Sequence, residues 1–441
     1  MGKMPLLCSP SVSSRRDFVK SSVGMALSLS ALDTGSFTPS LSKPLPSTPN
    51  AMTLNNPKSI IGNYGQWAAG LRKNPPLLSL WANPKKKLSR WKEEARAKVQ
   101  ELVASPPVGK VPAVIVEKKY VYDGLEIEEL SWQLPYGRPT KALLLKPAGA
   151  NGPLPGIVAL HDHSGEKYYG YAKITRTTDE QDPHLREHQE GYYGGTAWAN
   201  EVANRGYVVL VPDAFLFGSR RAYYEDVEGI AWGITKTDLK SDAEITTQEE
   251  IDTYNAWASD HEHVVSKSLF CAGTTWPGVV LTEDQIALTI LSQRTDVDSD
   301  KLGCAGLSGG GLRTAYLAGL DERIKCAVCV GFMTTWDDFL LHKAYTHTWM
   351  LYAPLLPNYL EFPEVLGLRT PLPVMVQNNN QDRLFTLSEM QKADAILREV
   401  YHLAGAGEAY QGRFYDGDHK FDRAMQADAF AWFDKWLRLG R

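Results

Sequence analysis

Cysteine is scarce in this chain, five among 441 residues, which excludes a small fold stapled by disulfides. Four of them, Cys271, Cys304, Cys326 and Cys329, lie beyond the N-terminal region. Cys326 and Cys329 have C-x-x-C spacing, but inside "IKCAVCV", an apolar run that reads as a buried strand. Positions three apart on a strand point to opposite faces, so neither chelation nor a redox pair is expected there. Buried free thiols are the expectation for all four, with a Cys271–Cys304 disulfide as the alternative. Long hydrophobic runs are also missing. The apolar stretch after residue 16 is too short and too rich in Ser and Gly to cross a bilayer, so no stable membrane span is expected. Nor is there an excess of positive charge: the formal net charge is −4, which leaves no global field to recruit nucleic acid. The most basic stretch, "PKKKLSRWKEEARAK", is interleaved with glutamates. It sets Leu88, Trp91, Ala95, Val99 and Leu102 at helical spacing, so an amphipathic helix with a solvated basic face is predicted. No internal repeat is evident.

The N-terminus, "SSRRDFVKSSVGMALSLSAL", resembles a twin-arginine export signal: Arg15 and Arg16 are paired, then Phe18, Val19, Lys20 and a weakly apolar run. The resemblance implies a precursor that engages the Tat export machinery and a periplasmic or secreted product. On this reading residues 1–31 are the signal peptide, 32–57 a Ser/Pro-rich flexible linker, 58–118 a helical appendage and 119–441 the main domain.

From Tyr120 onward, short apolar runs alternate with helical periodicity, the pattern of a doubly wound α/β fold. "LEIEELSWQL" and "TKALLLKPA" read as an opening antiparallel pair. "GIVALHDH", "YVVLVPDA", "KLGCAGLS", "IKCAVCVGF", "LPVMVQNN" and "EAYQGRFYDG" follow as strands, giving a mostly parallel eight-stranded sheet with helices on both faces. Helices are predicted over 196–204, 282–293, 310–320, 387–403 and 423–439. Thr282 is the expected N-cap of the second, with Glu283 and Asp284 in its first turn. Two connections, about 164–196 and 215–281, are too long for turns and read as lid-like insertions.

"CAGLSGGGLRT" crowds glycines around Ser308 where a strand should hand over to a helix. A serine on so sharp a turn sits at positive φ with strand and helix backbones close together; Gly306 and Gly310 remove the side chains that would collide. This G-x-S-x-G resembles the nucleophile elbow of α/β-hydrolases. Gly309, next in the chain, can aim its amide at a developing oxyanion. A serine hydroxyl needs a base, and the base an orienting acid, in the chain order Ser, acid, His. The loop after "LPVMVQNNNQDRLF" offers Asp382, and that after "EAYQGRFYDGDHKF" offers His419; Asp337, Asp338 and Asp416 are reserve acids. In the turn "ALHDHSGEK" the His163 amide is the second oxyanion candidate, with Ser164 behind it. His161 and His163, or Asp260, His261 and His263, would need further ligands at metal spacing, so no metal is expected.

These segments, with "GYVVLVPDAFLFGSRR", "LAGLDERIKCAVCVGFMTTW" and "DGDHKF", resemble α/β-hydrolases of the acetyl xylan esterase-like and dienelactone hydrolase-like kind across about 91–439. The resemblance implies cofactor-free hydrolysis of acyl esters by Ser308, Asp382 and His419, with a small-molecule or carbohydrate ester as substrate. Ser308 stands where dienelactone hydrolases carry cysteine, and Gly309 where acetyl xylan and cephalosporin deacetylases carry glutamine. Ser164, Lys167, Arg220 and Trp276 are the candidate substrate contacts, the cations for a carboxylate and the indole for a sugar ring. A serine peptidase of the prolyl oligopeptidase type and a non-catalytic binding module are the alternatives.

Overall fold

β-branched and aliphatic runs with polar ends fill the middle of one large sheet in the structure, a computed structural model that describes residues 59–232, 235–236 and 240–439. In chain order its strands are β1 (Ile115–Tyr122), β2 (Leu125–Trp132), β3 (Thr140–Pro147), β4 (Leu154–Leu160), β5 (Val208–Pro212), a two-residue pair β6 (Ala231–Trp232) and β7 (Thr235–Lys236), then β8 (Val297–Leu307), β9 (Ile324–Val330), β10 (Val374–Asn379) and β11 (Tyr410–Tyr415). Nine of them form one sheet in the order β1-β2-β3-β5-β4-β8-β9-β10-β11, while β6 and β7 pair only with each other. The contacts from β1 to β3 and on to β5 are antiparallel, and everything from β5 across to β11 is parallel. The sheet therefore has one strand more than the eight expected. The additional strand, "IVEKKYVY", lies at the edge with most residues exposed, so it carries no alternation to read.

The helices are α1 (Gly65–Leu71), α2 (Leu88–Val103), α3 (Pro183–Tyr193), α4 (Trp198–Asn204), α5 (Gln248–Cys271), α6 (Trp276–Ser292), α7 (Gly309–Leu320), α8 (Trp336–Asp338), α9 (Phe362–Gly367), α10 (Leu387–Leu403) and α11 (Arg423–Phe433). Alternate strand residues serve two cores, one on each face of the sheet. Val158, Leu160, Leu210, Cys304, Ala327, Cys329 and Val376 pack with α2, α6, α7, α9 and α10. Ile157, Ala159, Val209, Val211, Ala305, Cys326, Val328 and Met375 pack with α4 and α11. Cys326 and Cys329 thus fall on opposite faces, as strand geometry requires. All four described cysteines are free, but Cys271, at the end of α5, is exposed rather than buried, and it is not bridged to the buried Cys304.

In α2, Trp91, Ala95, Val99 and Val103 are buried in the same core as the sheet. The expected start of α6 at Thr282 is wrong. Thr275 is the cap, its hydroxyl taking the Gly278 amide hydrogen at 3.0 Å, and Thr282 is mid-helix with its hydroxyl donated back to the Gly278 carbonyl at 3.0 Å. Glu283 and Asp284 therefore belong to no first turn; both are buried. Glu283 meets Arg220 at 2.8 Å, and Asp284 holds Arg313 of α7 through two bonds of 2.6 and 3.0 Å. Residues 1–58, with the proposed signal and linker, lie outside the described residues.

Candidate active site

β8 ends at Leu307 and α7 begins at Gly309, which leaves Ser308 on the bend with φ 58° and ψ −117°. A non-glycine residue held there costs about 1–3 kcal/mol, so the surroundings must enforce it. They do. The Ser308 amide donates to the Val330 carbonyl at 2.9 Å, and its carbonyl accepts from the Leu312 amide at 2.9 Å. A methyl group on Gly306 or Gly310 would lie 2.4 or 2.1 Å from the Leu160 carbonyl oxygen of β4, so only bare backbone fits where strand and helix cross. The serine side chain makes no capping bond and opens into a cavity of about 350 Å³.

The turn after β4 forms the facing wall. A methyl on Gly309 would lie 3.0 Å from the His163 amide nitrogen, so the two candidate oxyanion donors are neighbours. This turn is stitched from behind. Lys173, wholly buried, donates to the carbonyls of Asp162, His163 and Glu166 and so ties three points of the turn together. The Asp162 carboxylate, also buried, accepts from Tyr193 and lies 3.2 Å from His188 Nε2. Lys173 and Glu262 were not recognisable as parts of this turn from sequence. Glu262 hides inside "SDHEH", where the histidines draw attention. Its carboxylate lines the cavity and lies 2.6 Å from both His163 Nε2 and Lys167 Nζ. Burial opposes its ionisation, but Lys167 and His163 hold it well below the usual carboxylate range.

His419, in the loop after β11, and Asp382, after β10, approach from the parallel end of the sheet. His419 Nδ1 is 2.6 Å from Asp382 Oδ2, and Asp382 Oδ1 accepts the Leu384 amide hydrogen at 2.9 Å. His419 Nε2 is buried and has no hydrogen-bond partner among the described residues. His419 itself lines the cavity that Ser308 enters. Gly331, a position not singled out beforehand, makes room for the ring: a methyl there would lie 2.9 Å from His419 Cε1. Phe332 and His347 complete an aromatic wall, their rings 5.5 Å apart, and burial pushes the His347 imidazole down to about 4, so it stays neutral. Tyr192, Leu384 and His419 also border a wider cavity of about 740 Å³.

Ser308, Gly309, His163, Ser164 and His419 thus share one cavity, with Asp382 behind the imidazole. Lys167, Arg220 and Trp276 do not join them. Lys167 is 1% exposed and spent on Glu262, with its ammonium 4.2 Å over the Phe217 ring. Arg220 is buried on Glu283 and the carbonyls of Tyr136 and Arg138. Trp276 is wholly buried at the start of α6, edge-on to Phe215. The reserve acids are engaged elsewhere: Asp337 with Arg72, Asp338 with Thr334 and the Thr386 amide, Asp416 with Asn380. His161 is equally occupied, accepting from the Ala214 amide at 3.3 Å, and His263 lies 3.1 Å from Lys267.

A mostly parallel sheet that presents a serine on a strained bend beside a buried imidazole is the construction of the α/β-hydrolases, and the chain is a serine hydrolase of that fold. Its particular relatives narrow the comparison. The prolyl oligopeptidase family matches residues 271–439. YtaP of Bacillus subtilis, provisionally named a hydrolase, is 25% identical over 299 residues, covering 67% of this chain and 83% of its own. Among solved structures, one from Bacteroides fragilis, provisionally named an acetyl xylan esterase, superposes with a TM-score of 0.55 at 17% identity, covering 75% of this chain and 76% of that one. A glucuronoyl esterase from Teredinibacter turnerae gives 0.51 at 13% identity, covering 80% and 86%. At such identities the likeness is one of fold.

Proposed function

We propose that the chain is an exported carboxylic-ester hydrolase that removes acetyl or similar acyl groups from carbohydrates. Ser308 is the nucleophile, His419 its general base and Asp382 the residue that fixes the imidazole. The observation that carries this reading is the 2.6 Å contact between His419 Nδ1 and Asp382, with the other ring nitrogen unpartnered among the described residues and the histidine lining the cavity of Ser308. Apo catalytic contacts commonly tighten only when substrate is bound. His419 takes the serine proton as the hydroxyl attacks the ester carbonyl, and the amides of Gly309 and His163 receive the oxyanion. The protonated imidazole then passes its proton to the departing alcohol, and water, activated the same way, releases the acid. The small cavity with its Phe332 and His347 wall suits a short acyl group; the wider polar one suits a sugar. Glu166, Glu187, Asp252 and Asp418 border that outer cavity with Arg383 as their guanidinium, so a neutral acetylated sugar is favoured over an anionic one.

The prolyl oligopeptidase match favours a second reading, peptide hydrolysis by the same residues. p-Nitrophenyl acetate, its butyrate and longer homologues, acetylated xylan and a peptide p-nitroanilide, assayed side by side, separate the readings. Acetate should be cleaved fastest and the anilide not measurably; an anilide turned over faster than any ester would reverse the assignment.

Export rests on the Arg15–Arg16 pattern. A reporter fused to residues 1–57 should reach the periplasm, and the double change R15K/R16K should hold it in the cytoplasm. Retention of the unaltered fusion would remove export from the proposal.

A further inference from the structure

Glu262 comes from α5, inside the long insertion, yet it reaches the turn that carries the second oxyanion amide. Its carboxylate accepts from three donors on two segments: His163 Nε2 at 2.6 Å and Lys167 Nζ at 2.6 Å, both on the turn after β4, and Thr348 Oγ1 at 2.7 Å on the far wall of the cavity. The His163 ring is held at its other end too. Its Nδ1 accepts the Gly165 amide hydrogen at 3.0 Å, so Nε2 carries the proton given to Glu262. That leaves the ring no free nitrogen for acid–base work on a substrate. What the ring can do is fix its own backbone amide, the one that neighbours Gly309.

We propose that Glu262 is a positioning residue for the oxyanion site: by gripping the His163 ring and Lys167 it sets the direction of the His163 amide and couples the insertion to the catalytic turn. An amide that must meet a transient oxyanion at hydrogen-bond distance tolerates little displacement, and errors of about 1 Å cost on the order of 10²-fold. The inference rests on the hydrolase reading above. It assigns the insertion a task other than covering the site.

The test is steady-state kinetics on p-nitrophenyl acetate with the full chain and Glu262→Gln, which removes the charge and keeps the shape. Turnover should fall about 10- to 100-fold, with KM within about threefold of the original. Affinity for a boronic acid that forms a tetrahedral adduct on the serine should fall in step with kcat. His163→Leu deletes the gripped ring and keeps the amide, so it should lower kcat by a similar factor. The double variant should fall little further than either single one, because the two changes break the same link. A folded E262Q with unchanged kcat, or with KM alone altered, overturns the proposal. Should E262Q lose its fold, an unchanged kcat in H163L does the same. Failure of the parent reading looks different: the unaltered protein would then cleave no ester at all.

Discussion

Ser308→Ala should reduce turnover of an aryl acetate by about 10⁴-fold or more while leaving the melting temperature within about two degrees. The two halves of that expectation have separate causes. The hydroxyl makes no capping bond with α7, and the backbone bonds that hold the bend, to Val330 and from Leu312, do not involve the side chain. Removing it strands no buried partner, so the fold loses nothing. Turnover, in contrast, loses the atom that forms the acyl-enzyme. What remains is direct attack by water assisted by the two amides and by substrate positioning, which in serine hydrolases retains about 10³- to 10⁴-fold over the uncatalysed rate. The same variant tests whether the chain is only a binding module, for which ligand binding would persist and no ester cleavage would exist to lose. Stopped assays at high enzyme concentration, with a fluorophosphonate label to report the absence of the hydroxyl, give the number. Turnover within tenfold of the unaltered protein would remove Ser308 from the chemistry.

How much of this is legible in the sequence follows from which constraints act locally. A bend that brings a strand, a helix and a neighbouring strand into backbone contact demands glycine at Gly306 and Gly310, and that demand is written in five consecutive residues. The loop bearing Asp382 was readable because it follows a run that is buried throughout, and that bearing His419 because it separates a short β-prone run, the edge strand β11, from the last helix. Contacts made across the sheet leave no such mark. Lys167 and Arg220 read as available cations because their acids, Glu262 and Glu283, sit on helices far along the chain; once buried, each charge needs its partner and is lost to a ligand. Trp276 misled for a related reason, since an indole in a long connection looks like a lid platform until that connection proves to be the start of a core helix. α5 escaped because its buried face mixes Tyr254, Asn255, Trp257, His261 and Glu262, so no apolar stripe marks its 24 residues. Thr282 offered a helix cap that the Thr275–Pro277 junction already supplied seven residues earlier.

Asp382→Asn should lower kcat by about 10⁴-fold, out of proportion to the loss of one charge. The reason lies in the second oxygen. Asp382 Oδ1 accepts the Leu384 amide hydrogen at 2.9 Å while Oδ2 faces His419 Nδ1 at 2.6 Å. An asparagine in this place has one oxygen, and the Leu384 amide, which can only donate, claims it. The NH₂ group must then point at His419, which forces Nδ1 to accept and moves the ring proton to Nε2. A proton on Nε2 faces the cavity where Ser308 needs a base, so the imidazole is kept in place but in the wrong tautomer. Melting should change little, because the Leu384 bond survives, and labelling of Ser308 by a fluorophosphonate should slow alongside kcat. Asp416→Asn serves as the control: that carboxylate bonds Asn380, outside the site, and its loss should leave kcat within about threefold. If D382N kept more than a tenth of the activity while D416N did not, the acid would have to be reassigned to the loop after β11, and with it the direction from which His419 is held.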